Sequence, residues 1–251
     1  MIISEDYKNL VEYSNRRLET LSKIYSPVLA VTDNFGSLIC RVTNILGSTP
    51  PSSTQDIVVR DLMADAFDFL WEWRRPLLEG RAQVAYPLAR RAFETISIMS
   101  ICAQEPKFAE RWEKGKEISN ADVRKALAKA NFPEPEKAMK DFYKFFSKAA
   151  HPNRDLIAYR YLGDGNKFTL GSIGSPDLFL LTDHCIKLIQ IWFWLTAIVA
   201  FFYRMEIKKV DNAFPSDYMN TVEEGRKIIF SLSQELQKLL KEIKTGQNPL
   251  Q

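Results

Sequence analysis

The chain has 251 residues, enough for one large helical domain or two small ones with a well-formed core. Hydrophobic residues make up 46% and charged residues 26%, a balance that is typical of globular proteins and excludes bulk disorder. Only ten glycines favour long helices over a turn-rich β fold, and a net charge of +3 is weak evidence for a polyanionic partner.

The first quarter of the sequence predicts two helices and a linker. Apolar residues recur at helical spacing over 5–25, and a second, more apolar helix over 28–46 follows the break at Ser26-Pro27. We expect these helices to pair as an N-terminal helical hairpin, 1–47. The stretch 47–53, rich in Gly, Ser, Thr and Pro, then predicts a linker or loop before the main body.

The main body, 54–209, opens with two long helices. Thr54-Gln55-Asp56 has the residue types that cap a helix, and the apolar pattern continues to about residue 79. Gly80 closes this helix, and a second helix is predicted over 81–104. Because the turn between them is tight, we expect an antiparallel helical hairpin.

Shorter elements follow. Charged helical segments are predicted over 107–116 and 119–131, and a helix rich in aromatic residues over 136–150. Residues 156–172 break the helical pattern and contain Gly163-Asp164-Gly165-Asn166, which predicts a small β-hairpin insertion.

The most apolar stretch, 188–203, has sixteen residues and contains two polar ones. A membrane-spanning helix needs about 20 apolar residues, so we expect a buried central helix over 178–204 and no membrane span. A last amphipathic helix is predicted over 216–244. The expected fold is a single all-α domain, 1–251, with a multi-helix bundle around the long apolar helix.

The three cysteines, Cys40, Cys102 and Cys185, are far apart and lie in apolar sequence. No two of them have a metal-ligand spacing such as C-x-x-C, and the chain has only two histidines. We therefore expect reduced core cysteines, no metal and no cofactor. Reduced cysteines are typical of a cytosolic protein, and the N-terminus lacks the basic start and apolar run of a secretory signal, so we expect a cytoplasmic protein.

Two short polar signatures stand in this apolar helical sequence. In Arg90-Arg91-Ala92-Phe93-Glu94, the Glu94 carboxylate should lean toward the core and pair with an arginine one turn earlier. In the second signature, 147–152, Ser147 precedes His151 by one turn, and the helix end favours a protonated imidazole. The candidate catalytic residues are Arg90, Arg91, Glu94, Ser147 and His151. The alternative is a structural ion pair beside a helix-end histidine.

Basic residues gather between Arg74 and Arg91, next to two tryptophans, Trp71 and Trp73. Arginines beside aromatic rings can bind single-stranded nucleic acid through phosphate pairing and base stacking. The candidate nucleic-acid contacts are Arg74, Arg75, Arg81 and Arg154, the last being the arginine nearest to His151. The alternative is a solvated helix end with both tryptophans in the core.

An Arg-x-x-x-Glu pattern on one long helix, followed by Ser-x-x-x-His-Pro at the end of a later helix, resembles a group of uncharacterised bacterial helical proteins. That group is similar to the HEPN (higher eukaryotes and prokaryotes nucleotide-binding) superfamily. The match runs from about Asp61 to Tyr203, with the two polar signatures as its anchors. Many HEPN proteins are metal-independent ribonucleases of toxin or antiviral systems, so the resemblance implies a helical protein that acts on or binds nucleic acid or nucleotide.

The expected functions follow from this resemblance and from the positions at which the sequence departs from the HEPN pattern. HEPN ribonucleases place an arginine shortly before the catalytic histidine, whereas the window before His151 holds Phe145, Phe146 and Ser147. We therefore expect binding of nucleic acid or nucleotide, in defence or stress response, without robust RNA cleavage. The alternative is a non-catalytic interaction module or homodimer whose polar cluster is purely structural.

Overall fold

The computed structural model describes residues 5–129, 141–142, 144 and 178–244. Within these residues the chain forms nine helices and no strand: α1 Glu5–Ile24, α2 Ser26–Gly47, α3 Thr54–Leu78, α4 Ala82–Gln104, α5 Pro106–Glu113, α6 Asn120–Lys129, α7 Leu178–Phe202, α8 Arg204–Val210 and α9 Phe214–Lys244. The all-α class is confirmed. The predicted β-hairpin near 156–172 lies outside the described residues, as does most of the predicted helix over 136–150.

The central helix of the bundle is α7. It packs against α2, α3, α4 and α9, and its buried side chains therefore belong to more than one face of the helix. Half of its most apolar stretch is buried inside the protein. By length and composition α7 is also the one described helix that could cross a membrane, a test that the core helix of a soluble protein passes as well.

The predicted hairpin of two long helices is confirmed in α3 and α4. Residues 79–81 join the helices, and Gly80 has a φ of +71°, a left-handed conformation that glycine adopts without strain. At the far end, Gln55 Nε2 donates hydrogen bonds to the carbonyl oxygens of Cys102 at 2.7 Å and Ala103 at 3.1 Å. The start of α3 is thus tied to the end of α4.

The expected N-terminal hairpin is wrong, because α1 and α2 continue end to end through a kink. A helical hairpin is joined by a loop of about two to five residues, but only Tyr25 separates α1 from α2. The Tyr25 N–H donates to Leu21 O, and the Leu29 N–H donates to Tyr25 O, so helical hydrogen bonding spans the junction. About two turns before this junction, Arg17 of α1 lies beside Gly80 of the α3–α4 turn.

The long helix α9 closes the bundle against α2 and α7. Gly225 permits the close approach to α7, because a Cβ atom there would lie 3.3 Å from Ile189 Cγ2. Arg41 of α2 pairs with Asp211, just after α8, and with Asp217 in the first turn of α9. These ion pairs hold the α8–α9 turn against α2.

Candidate functional site

The Arg-x-x-x-Glu signature forms the expected ion pair on α4. Arg90 Nε donates to Glu94 Oε1 at 2.9 Å, with about one fifth of each side chain exposed (21% and 20%). The pair is therefore half-buried, as expected for a carboxylate that leans toward the core and pairs with an arginine one turn earlier. Arg91 is exposed instead, and its guanidinium lies 5.5 Å from the centre of the Phe69 ring. An exposed i,i+4 helix pair contributes about 0.3–0.5 kcal/mol, and the partial burial of this pair reduces the screening by solvent.

The remaining members of the predicted site cannot be placed with this pair. Ser147, His151 and Arg154 lie outside the described residues. The other histidine, His184, is buried in α7, with its ring centre 4.4 Å from that of Tyr86 and 6.1 Å from that of Trp73. Burial lowers the pKa of His184 to about 3, so this imidazole is a neutral member of the core at pH 7.

The basic residues near the α3–α4 turn are paired with carboxylates. Arg74 binds Asp33 of α2, across the space between the two helices. Arg75 and Arg81 both bind the buried carboxylate of Glu79, at 2.9 Å and 3.0 Å. The positive charge that the sequence offers for phosphate binding is therefore offset at these three candidate nucleic-acid residues.

The two neighbouring tryptophans lie on opposite sides of α3. Trp73 is fully buried in the core, as the alternative interpretation predicts. Trp71 is 54% exposed, so that interpretation is wrong for this residue. Its ring stacks on Phe67 with ring centres 6.3 Å apart, and the Arg74 guanidinium lies 5.2 Å from its centre. An exposed aromatic stack therefore stands beside the space between α2 and α3.

An open, mostly apolar groove of about 430 Å³ lies between α2 and α3. Both helices pack on α7 but make little backbone contact with each other, so a gap remains between them. Ile39 and Leu46 of α2 and Met63 and Phe67 of α3 line the groove. Below Phe67 the ring of Trp192, on α7, meets it edge-on with centres 5.5 Å apart. Hereafter this feature is the α2–α3 groove.

The walls of the α2–α3 groove include small side chains, among them Cys40 and Ala64. Cys40 is exposed, so the prediction of three core cysteines is wrong at this position, whereas Cys102 and Cys185 are buried as predicted. Burial raises the pKa of the Cys102 thiol to about 12 and also raises that of Cys185. Cys40 is thus the cysteine that a polar thiol reagent can reach, which makes it a reporter of groove occupancy.

Four carboxylates lie in a row on the exposed face of α3, and one of them, Asp68, lines the groove. We call them the acidic stripe: Asp61, Asp65, Asp68 and Glu72. All four are exposed, and none forms an ion pair with another described residue. Like charges one turn apart destabilise a helix by a few tenths of a kcal/mol per pair, so the stripe lowers the stability of α3. Our sequence interpretation missed this stripe, although its 4-3-4 spacing is visible in the sequence.

The described part of the chain contains no group of three or more His, Cys, Asp or Glu side chains placed to hold a metal ion. Comparison with known proteins adds no further assignment, because no protein-family model, curated protein or solved structure matches the chain.

Proposed function

We propose that the protein is a non-catalytic helical interaction module that binds a segment of another polypeptide in the α2–α3 groove. The observation that carries this proposal is the open apolar groove itself, with the exposed Trp71 beside it. Apolar surface bordered by polar residues is typical of protein-binding sites, and tryptophan is enriched among the residues that dominate binding energy. In this proposal the Arg90–Glu94 pair is purely structural.

The dimensions of the groove support a peptide segment as its occupant. Its α3 wall extends from Arg60 to Asp68, and the Phe67–Trp71 stack continues it by another turn. The eleven residue steps from Arg60 to Trp71 rise by about 17 Å, or three turns of helix. Helix-in-groove recognition reads anchors at this spacing from a single face of the bound segment.

Selection from a displayed library of helical peptides tests the proposal. We expect the native protein to retain peptides that do not bind Ala64→Arg, because this substitution fills the groove wall without touching the buried core. The matched control is Ala30→Arg, at an exposed alanine of α2 outside the groove lining, which should bind like the native protein. Selected peptides should also slow modification of Cys40 by a maleimide. Peptides that bind both arginine variants equally and leave Cys40 reactive would contradict the proposal.

The second candidate function is the HEPN-like binding of nucleic acid or nucleotide. The observation in its favour is that two arginines of the α3–α4 hairpin lie over aromatic rings, Arg74 over Trp71 and Arg91 over Phe69. Such arrangements suit stacked bases and phosphates.

The absorbance ratio at 260 and 280 nm of the purified protein tests this second function, together with binding of a labelled single-stranded RNA. Retained nucleic acid, and RNA binding weakened by Arg91→Ala and by added salt, would support it. If the purified protein retains no nucleic acid and does not bind the RNA, this second candidate function is contradicted. RNA cleavage that is lost in His151→Ala would instead favour a nuclease.

A further inference from the structure

We infer that the occupant of the α2–α3 groove is a basic amphipathic helix of about three turns. Its apolar face would enter the groove, and its lysines or arginines would pair with the acidic stripe. The inference rests on the proposed function and adds the chemistry of the partner. Charge, spacing and shape support it in turn.

The charge at the groove is negative although the chain as a whole carries a net charge of +3. Asp68 lines the groove, Asp61 lies next to it on the exposed face of α3, and Asp65 and Glu72 lie farther round that face. The arginines at the two ends of the groove are already paired, Arg60 with Asp56 and Arg74 with Asp33. Four carboxylates thus remain without an ion-pair partner among the described residues. A cationic segment complements this surface, whereas an acidic one would be repelled.

The spacing of the stripe matches the repeat of a helix lying along the groove. From Asp61 to Glu72 the carboxylates recur once per turn over about 17 Å. A partner helix with basic residues two turns apart on one flank would place its cations near Asp61 and Asp68, the two carboxylates nearest the groove. Binding would also relieve the repulsion between like charges within α3, because each added cation screens its neighbours.

The shape of the groove suits the apolar face of such a helix. Met63 and Phe67 provide an apolar lining, and methionine adapts readily to different side chains. The small side chains of Cys40 and Ala64 leave room for a branched aliphatic residue between the two helices. Trp71, exposed and stacked on Phe67, offers a flat surface for the aliphatic part of a lysine or arginine.

Three synthetic peptides of about 18 residues, or five helical turns, test the inference. They share one Leu/Ala face and carry Lys/Arg, Gln or Glu on the flanking positions. Fluorescence anisotropy should show the basic peptide binding at least about tenfold more tightly than the Gln peptide, and no binding of the Glu peptide. The basic peptide should also protect Cys40 from maleimide.

The acidic stripe is tested with Asp61→Asn/Asp68→Asn, which removes the two carboxylates nearest the groove. This variant should bind the basic peptide about tenfold more weakly, with a smaller salt dependence. Its melting temperature should be unchanged or raised, because a repulsion within α3 is removed. The matched control, Glu12→Gln/Glu223→Gln, removes the same charge from exposed positions outside the groove and should bind like the native protein.

The outcomes separate this inference from the function on which it rests. If the Gln or Glu peptide binds as tightly as the basic one, protects Cys40 and is blocked by Ala64→Arg, the partner chemistry is wrong but the interaction module stands. If no peptide protects Cys40, both proposals fail. Protection of Cys40 by raised concentration of the protein alone would show that a second copy occupies the groove. Protection of Cys40 by single-stranded RNA would contradict the inferred basic helix and show that nucleic acid occupies the groove.

Discussion

Replacement of Asp56 by alanine is expected to lower the free energy of unfolding by about 3 kcal/mol, the lower end of the effect of breaking a buried ion pair. The Asp56 carboxylate, in the first turn of α3, is buried. It accepts hydrogen bonds from Arg60 Nε at 2.8 Å, the Tyr203 hydroxyl at 2.9 Å and the Ser52 N–H at 2.9 Å. Without the carboxylate, these donors lose their shared acceptor in a largely buried setting. We expect the lower end of the range of destabilisation because Arg60 also donates hydrogen bonds to two carbonyl oxygens, and these bonds remain in the variant.

Chemical denaturation of Asp56→Ala and Asp61→Ala measures this effect. Asp61 is a matched control because it lies on the same helix but is exposed and has no ion-pair partner among the described residues. The control should unfold at the same denaturant concentration as the native protein or a slightly higher one. Equal midpoints for the two variants would show that the Asp56 cluster does not stabilise the junction of α3 with the end of α7.

The Asp56 cluster also has a defined pH dependence. Burial would raise the pKa of Asp56, but the hydrogen bonds from Arg60, Ser52 and Tyr203 outweigh it and hold the pKa below its ordinary value. A carboxyl with a depressed folded pKa stabilises the protein above its unfolded pKa of about 3.9. This contribution is lost as the pH falls through the lower, folded value.

The second large effect is expected from His184. The free energy of unfolding should fall by about 2 kcal/mol as the pH is lowered from 7 to 5. The reason is that the His184 imidazole binds a proton near pH 6.5 in the unfolded chain but stays neutral in the folded chain. Burial in α7 beside Tyr86 and Trp73, aided by the nearby Lys187, lowers the pKa of His184 to about 3. Stability from the neutral imidazole is thus complete above about pH 6.5 and is lost progressively as the pH falls toward 3.

Denaturation curves at several pH values between 5 and 7.5 measure the slope of the free energy of unfolding against pH. His184→Leu should remove most of it, whatever the stability of that variant at pH 7. The chain contains one other histidine, His151, so His151→Gln serves as the comparison and should retain the slope. A slope that persists in His184→Leu and disappears in His151→Gln would contradict the assignment to the buried ring.

Much of the helical architecture follows from local sequence signals. The segment from Ser119 predicts a cap, and in the structure the Asp122 N–H donates to Ser119 Oγ while the Ser119 N–H donates to the Asp122 carboxylate. Gly80 predicts the α3–α4 turn because few other residues adopt a φ of +71°. The Arg90–Glu94 pair is likewise set by a spacing of one turn on a single helix. Each of these features depends on residues a few positions apart.

Other features depend on which helices meet, and sequence periodicity does not determine that. Cys40 and Trp71 are apolar residues in apolar segments, yet both are exposed because no other described helix covers that side of α2 and α3. The kink at Tyr25 also differs from the expected hairpin, because one residue outside helical geometry bends a chain without reversing it.

The sequence by itself determined the all-α class, the long apolar helix at the centre and the acidic stripe along α3, since these depend on composition and helical spacing. Only the tertiary structure decided that the stripe borders a groove. The groove exists because α2 and α3 each bury a face against α7, while the neighbouring faces stay too far apart to fill the space between them. Such a gap depends on contacts between residues distant in sequence, which follow from packing the whole bundle.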